Sequence, residues 1–239
     1  MEALWSDVVQ WLHALGLHLD AGTAAAVSDG AAHATASLDL PALMALAAAL
    51  GWASGFRLYA VVFLVGLMGA AGWLPLPPGL ALLQHPLVLG AAGLMLVVEF
   101  FADKVPWLDS AWDAVHAFIR VPAGALLAAG VFGADAGAMA VVAGLLGGSL
   151  SATALATKMT TRAAANTSPE PFSNWGLSFF EDGLVVAVVW LATQHPVLFG
   201  VALAVMLVLS VLVLVVLFKF LRAVLRRVSS LFSGSAKVA

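Results

Sequence analysis

Six apolar runs follow one another from residue 41, at about 41 to 70, 80 to 102, 111 to 132, 136 to 160, 176 to 193 and 196 to 222, with only short breaks between them. Each is near or above the roughly 20 residues that a helix needs to cross a bilayer. In lipid, every backbone N–H and C=O must find its partner within the segment, so runs of this length read as helices. The breaks carry turn chemistry: Gly72 to Gly79 with three prolines, Lys104-Val105-Pro106, Gly133-Ala134-Asp135, Asn166 to Asn174 with Pro169 and Pro171, and Gln194-His195-Pro196. Composition removes the alternative of a soluble domain. The 239 residues are 63% hydrophobic and 10% charged, with a mean hydropathy of +1.05, too few charges to clothe a water-facing surface. The fold class is therefore all-α, a polytopic membrane helix bundle of about six transmembrane helices, and its first partner is the lipid bilayer.

The flanks differ from this central region, 41-222. In residues 1-40, Leu4, Trp5, Val8, Val9, Trp11, Leu12 and Leu15 recur at helical spacing, which predicts an amphipathic helix lying in the membrane interface or packed on the bundle. An Ala/Ser/Thr/Asp/Gly-rich linker follows at 19 to 40. Glu2 stands where a secretory signal would carry basic residues, so this segment is expected to be retained. At the other end, 223-239 reads as a basic cytoplasmic tail. Basic residues gather in cytoplasmic connections. Lys219, Arg222, Arg226, Arg227 and Lys237 place the C-terminus inside, and alternation then places Lys104, Lys158 and Arg162 at inside connections. The connections at 71 to 79, 133 to 135 and 194 to 195 contain neither Lys nor Arg. The expectation is a multi-pass protein of the bacterial inner (cytoplasmic) membrane with both termini cytoplasmic.

Against this apolar background the charges stand out. Arg57, Glu99, Asp103, Asp113, His116, Arg120, Lys158, Arg162, Glu181 and Asp182 lie within or at the ends of the apolar runs. A charge at membrane depth costs about 2.5 to 3.5 kcal/mol on insertion scales and more in simulation, so it faces a partner or a wet cavity. Asp113, His116 and Arg120 fall at i, i+3 and i+7 and share one helix face. Arg57 lies deepest, and no partner for it can be assigned from the sequence. It follows Gly51, Ser54 and Gly55, small residues that either let two helices approach closely or mark a break whose freed backbone lines a cavity. The first run, about thirty residues long, has length to spare for such a break.

An internal repeat of helical hairpins is suggested by Ser110-Ala111-Trp112 and Ser173-Asn174-Trp175, 63 positions apart. It would lay the runs at 80 to 102 and 111 to 132 over those at 136 to 160 and 176 to 193. Glu99 then falls opposite Arg162, with pairing across the pseudo-symmetry axis as the expected consequence. A competing match sets Phe100-Phe101-Ala102-Asp103 against Phe179-Phe180-Glu181-Asp182, and the two alignments exclude each other.

Several of these pieces together carry a resemblance. They are Gly51-Trp52-Ala53-Ser54-Gly55-Phe56-Arg57; the run Glu99-Phe100-Phe101-Ala102-Asp103-Lys104-Val105-Pro106-Trp107-Leu108-Asp109-Ser110; Ala156-Thr157-Lys158 with Arg162; Asn166-Thr167-Ser168-Pro169-Glu170-Pro171; and Glu181-Asp182. Over roughly residues 45 to 190 the chain resembles the domain-of-unknown-function family numbered 4126, small bacterial integral membrane proteins. The Glu-x-x-x-Asp-Lys-x-Pro run is the most specific part, and the last helix falls outside the matched stretch. The resemblance implies a membrane location and no particular activity.

Familiar chemistry is sparse. Without cysteine, disulfides and thiolate chemistry drop out. Glu99 and Asp103 at i and i+4 could share a hard cation, but Lys104 beside them argues against it, and the six histidines show no zinc-ligand spacing. Neither a metal nor a cofactor is expected, no enzyme motif such as Gly-x-Ser-x-Gly or a P-loop occurs, and no basic stripe points to nucleic acid. The leading expectation is a small transporter or channel for a polar or anionic solute or ion. Its bases, Arg57, Arg120, Lys158 and Arg162, would attract the solute, while Glu99, Asp103, Glu181 and Asp182 hold those bases or take up coupling protons. A non-transporting membrane scaffold or assembly factor with purely structural charges is the alternative. A lipid-headgroup-modifying enzyme using Asp113 and His116 is a third reading. Small-residue helix faces would also suit a homo-oligomer.

Overall fold

The computed structural model describes residues 38–133, 136–167 and 172–234. The expected N-terminal interfacial helix, most of the linker after it, and Lys237 of the tail lie outside these. The described residues are helical, without strands. Six α-helices follow in order: α1 (Leu40–Ala70), α2 (Pro86–Ala102), α3 (Pro106–Phe132), α4 (Ala138–Ala165), α5 (Phe172–Gln194) and α6 (Pro196–Gly234), with a short 3-10 helix at Pro78–Gln84. Five of the six are long and apolar enough to span a membrane.

The sixth, α2, forms with the 3-10 segment before it a bent pair, a broken span or a re-entrant loop. In place of the single helix expected over 80 to 102, the 3-10 segment and α2 meet at an angle of 68°. The cause is local. His85 is extended (φ −66°, ψ 132°) ahead of Pro86, the conformation a following proline imposes, and its Nδ1 accepts the Leu87 N–H at 3.2 Å to cap the new helix. Pro106 likewise starts α3 one turn earlier than the apolar run alone suggests. At the other end α6 continues to Gly234, so Lys219, Arg222 and Arg226 ride on its final turns.

The centre of the bundle is α1, which touches every other helix. Asp39 caps it, its side chain accepting the Ala42 N–H at 3.0 Å, and its apolar residues run all round, as a central helix requires. Against it lie α3 and α4, and the three approach through their smallest residues. A Cβ on Gly51 would stand 2.5 Å from Gly147 Cα, and one on Gly55 would overlap the Ser151 carbonyl oxygen. On the far side, a Cβ on Gly124 would meet Ser151 Cβ at 2.7 Å. Without a hydrophobic drive between helices in lipid, such close contact is what holds them. By contrast, α2 buries little more than Ala92, Glu99 and Ala102, and α6 is almost wholly exposed on the outside of the bundle.

The first helix is also interrupted. Arg57 departs from helical geometry in mid-helix (φ −145°, ψ 78°). Ser54 Oγ donates to the Leu50 carbonyl one turn earlier, a back-bond that bends helices. The glycines make close contacts, and the break falls two residues after Gly55.

The glycine contacts generate a direct check. Gly55→Ala should destabilise the detergent-solubilised protein by about 1–3 kcal/mol through overpacking, read as a lowered melting temperature. Gly90→Ala, where a Cβ meets nothing within 4 Å, should leave it unchanged. Equal melting of the two variants would refute packing through Gly55.

Candidate functional site

The helix ends decide where the charges meet. Glu99 and Asp103 close α2, Asp109 and Asp113 open α3, Lys158 and Arg162 close α4, and Glu181 and Asp182 lie on the early turns of α5. All belong to one end of the bundle, and the break in α1 delivers Arg57 to the same place. The signs suit the helix dipoles at the start of α3 and the end of α4, whereas Glu99 and Asp103 stand against the dipole at the end of α2. Arg57, Glu99, Asp103, Asp109, Arg120 and Lys158 are fully enclosed, and Asp113, Arg162 and Glu181 nearly so.

Two groups of contacts share Lys158 between them. In the first, Arg120 pairs with Glu99 and its Nη1 donates to Asp113 Oδ1 at 2.7 Å. Lys158 Nζ reaches the same Asp113 oxygen at 3.0 Å. In the second, Arg57 Nη1 lies 2.6 Å from Asp103 Oδ2 and its Nε 3.1 Å from Asp182 Oδ1, while Nη2 donates to Ser178 Oγ at 2.9 Å. Arg162 grips Glu181 with both forks, Nε to Oε1 at 3.1 Å and Nη2 to Oε2 at 2.8 Å. This bidentate geometry is the strong form of the pair. Lys158 also approaches Asp103 and Glu181, each at 3.8 Å, and donates to the Phe56 carbonyl beside the break at 3.4 Å.

The sequence expectations are sorted by this arrangement. Arg57, for which the sequence offers no partner, meets Asp103, Glu181, Asp182 and Ser178. Pairing of Glu99 with Arg162 does not occur: Glu99 goes to Arg120 on the neighbouring α3, and Arg162 to Glu181 on α5. The hairpin repeat therefore does not organise the charges, because α2 is loosely held while α4 is wedged against α1 and α3. His116 stands apart. It stacks on Trp112 at 4.0 Å, its Nδ1 lies 2.8 Å from the Trp112 carbonyl, and Tyr59 meets its edge at 5.7 Å. Among the described residues it makes no ion pair, and Asp113 is occupied by Arg120 and Lys158.

Three members of the site escape the sequence reading. Asp109 lies one turn before Asp113 on the same face of α3, and Ser178 lies three residues before Glu181 on α5, so helical periodicity from the known charges would have found both. The third, Asn174, offers its carbonyl to Arg162 Nη1 at 3.4 Å. Asp103, Asp109 and Asp113 bring three carboxylate oxygens within 4.8 Å of one another. That spacing would suit a hard cation, but Asp103 and Asp113 already face Arg57, Arg120 and Lys158. Lys104, in the turn after α2, covers the site from outside. Its Nζ donates to the Phe100 carbonyl at 2.9 Å and sits 3.0 Å from the centre of the Phe100 ring. Desolvation, followed by the nearby Arg57 charge, pulls its pKa below the usual lysine value.

Removing one member of a buried pair strands the other, at about 3–5 kcal/mol, whereas removing both can be nearly neutral. Arg120→Met should accordingly lower the melting temperature sharply. Adding Glu99→Gln to it should recover much of the loss, since a neutral side chain then replaces the stranded carboxylate. Additive losses in the double variant would show that the two residues do not act as a pair.

Comparison with curated proteins and with solved structures gives no match. The family model described as "Domain of unknown function (DUF4126)" matches residues 44–216. The match extends beyond the stretch that carries the resemblance in the sequence and takes in much of α6, which that reading placed outside. It contains every charged residue of the site from Arg57 to Asp182, and with most of its length matched, the chain belongs to the DUF4126 family.

Proposed function

We propose that this protein is a small transporter or channel for a polar or anionic solute or ion, working in the bacterial cytoplasmic membrane with the charged end of the bundle on the cytoplasmic side. The observation that carries the reading is Arg57. A guanidinium at a break in the central helix, amid exchangeable carboxylates, is costly for a purely structural role, since packing alone requires no charge there. Interrupted helices recur where transporters hold solutes at membrane depth. Asp182, with 30% of its side chain exposed, is the least enclosed carboxylate on Arg57. A solute carboxylate or phosphate arriving from the water would take its place on the guanidinium with little change in local charge. The orientation is supported by Lys104, Arg162, Lys219 and Arg222 at connections on one side and the lack of Lys and Arg in the opposite connections.

The closure of the network favours a second reading. Arg57, Arg120, Lys158 and Arg162 each already lie within 3.0 Å of a carboxylate oxygen, as they would in a scaffold whose charges only fix helix register. The two readings part in proteoliposomes. Under the transport reading, Arg57→Ala and Glu181→Gln abolish or strongly reduce the flux of a solute that the wild type carries. Under the scaffold reading they lower the melting temperature, and wild type and variants alike show no flux. Wild-type flux indistinguishable from empty vesicles across a panel of small anions, zwitterions and inorganic ions would sink the transport reading.

A further inference from the structure

Asp109 differs from every other enclosed carboxylate of the site. Glu99, Asp103, Asp113 and Glu181 each lie within 3.0 Å of a guanidinium or ammonium nitrogen. Asp109 is just as enclosed, and neither of its oxygens takes part in a hydrogen bond among the described residues; the same is true of Asp103, but Asp103 has a guanidinium at 2.6 Å. Its nearest cation is Arg162 Nη1 at 3.8 Å. That nitrogen already donates to the Asp103 carbonyl at 3.0 Å, and the rest of the guanidinium is clamped on Glu181.

The charge balance points the same way. The enclosed bases are Arg57, Arg120, Lys158 and Arg162, with His116, which makes no ion pair among the described residues, counted as neutral, and the enclosed acids are Glu99, Asp103, Asp109, Asp113 and Glu181. One negative charge is left over, and Asp109 is the acid without a close base. The groups facing it are Arg162 and Lys158 from α4, Asp103 from the end of α2, and Asp113 from its own helix. The two acids repel a charge on Asp109, with all three carboxylates presenting oxygens within 4.8 Å. An unpaired carboxylate in such a place is far costlier than a neutral carboxyl.

We propose that Asp109 is a proton-binding site, its carboxyl carrying the proton that balances the enclosed charges. Release is a simple transfer: the O–H bond of the carboxyl breaks, water takes the proton, and the carboxylate left behind is stabilised as Arg162 closes the 3.8 Å gap. A metal ion fits less well. It would have to enter beside Lys158, 3.0 Å from Asp113 Oδ1, and beside Arg57, 2.6 Å from Asp103 Oδ2. That the proton moves together with a solute rests on the transport reading; that Asp109 binds a proton does not.

The test uses the full-length protein in detergent. Infrared spectra across about pH 5 to 9, where a free aspartate is already ionised, should show the carbonyl stretch of a protonated carboxyl that disappears as pH rises. Carbon-13 labelling of the aspartate carboxyls in the wild type should shift that band, and Asp109→Asn should abolish it. Stability gives a second readout. While only the folded protein holds the proton, its folding equilibrium weakens by about tenfold per pH unit. Wild-type melting should therefore fall with rising pH and level off once the proton is lost, and Asp109→Asn should lack that part of the slope. A band insensitive to aspartate labelling, or an unchanged slope in Asp109→Asn, overturns the proposal. So does stabilisation of the wild type, but not of Asp109→Asn, by added magnesium or calcium, which would make the bound cation a metal. Absence of flux in proteoliposomes would count against the transport reading and leave these outcomes as they are.

Discussion

A guanidinium cannot be left bare in the interior of a membrane bundle, and this fold is arranged around satisfying one. Arg57 sits in the helix that touches all the others, and its partners come from the end of α2 and the early turns of α5. The same end of the bundle then gathers Arg120, Lys158 and Arg162 with their own acids. Apart from Arg120–Asp113, which lies within α3, these ion pairs tie one helix to another. Lys158 illustrates this, reaching acids on α2, α3 and α5 and the backbone of α1 from a single position on α4.

Two different forces thus hold the two ends of the molecule. At the middle and the far end, Gly51, Gly55, Gly124, Gly147 and Ser151 bring α1, α3 and α4 into backbone contact, a rigid wedge without charge. At the charged end, the contacts are directional ion pairs and hydrogen bonds made by long side chains. The helix α2 belongs mainly to the second regime. Its enclosed residues are few, and its firmest ties are Glu99 to Arg120 and Asp103 to Arg57.

What could be read directly from the sequence follows from that division. Long apolar runs declare helices, because lipid permits little else, and proline positions mark most of their starts. Charges at helix ends declare themselves by their rarity. Their pairing is another matter. The assignment of Glu99 to Arg120 rather than Arg162 depends on which helices are neighbours, and that is set by glycine contacts between segments far apart in sequence. Arg57 appears partnerless for the same reason, since Asp103, Ser178 and Asp182 lie 46 to 125 positions further along. Asp109 was within reach of helical periodicity but stands among the residues of a turn motif, where a polar side chain attracts little notice. The 68° bend before α2 was signalled by His85-Pro86, although an apolar run on both sides reads as continuous.

The order of the chain has a consequence for how the molecule is made. Arg57 leaves the ribosome with the first membrane helix, while Asp103 follows one helix later and Ser178, Glu181 and Asp182 only after two further helices, α3 and α4, with α5 itself. Until α2 brings Asp103, the guanidinium has no acid of its own chain within the membrane segments already made. Completion of the network is deferred to the arrival of α5: a chain interrupted before that point has Asp103 for Arg57 but lacks Ser178 and Asp182, and leaves Arg162 without the bidentate grip of Glu181.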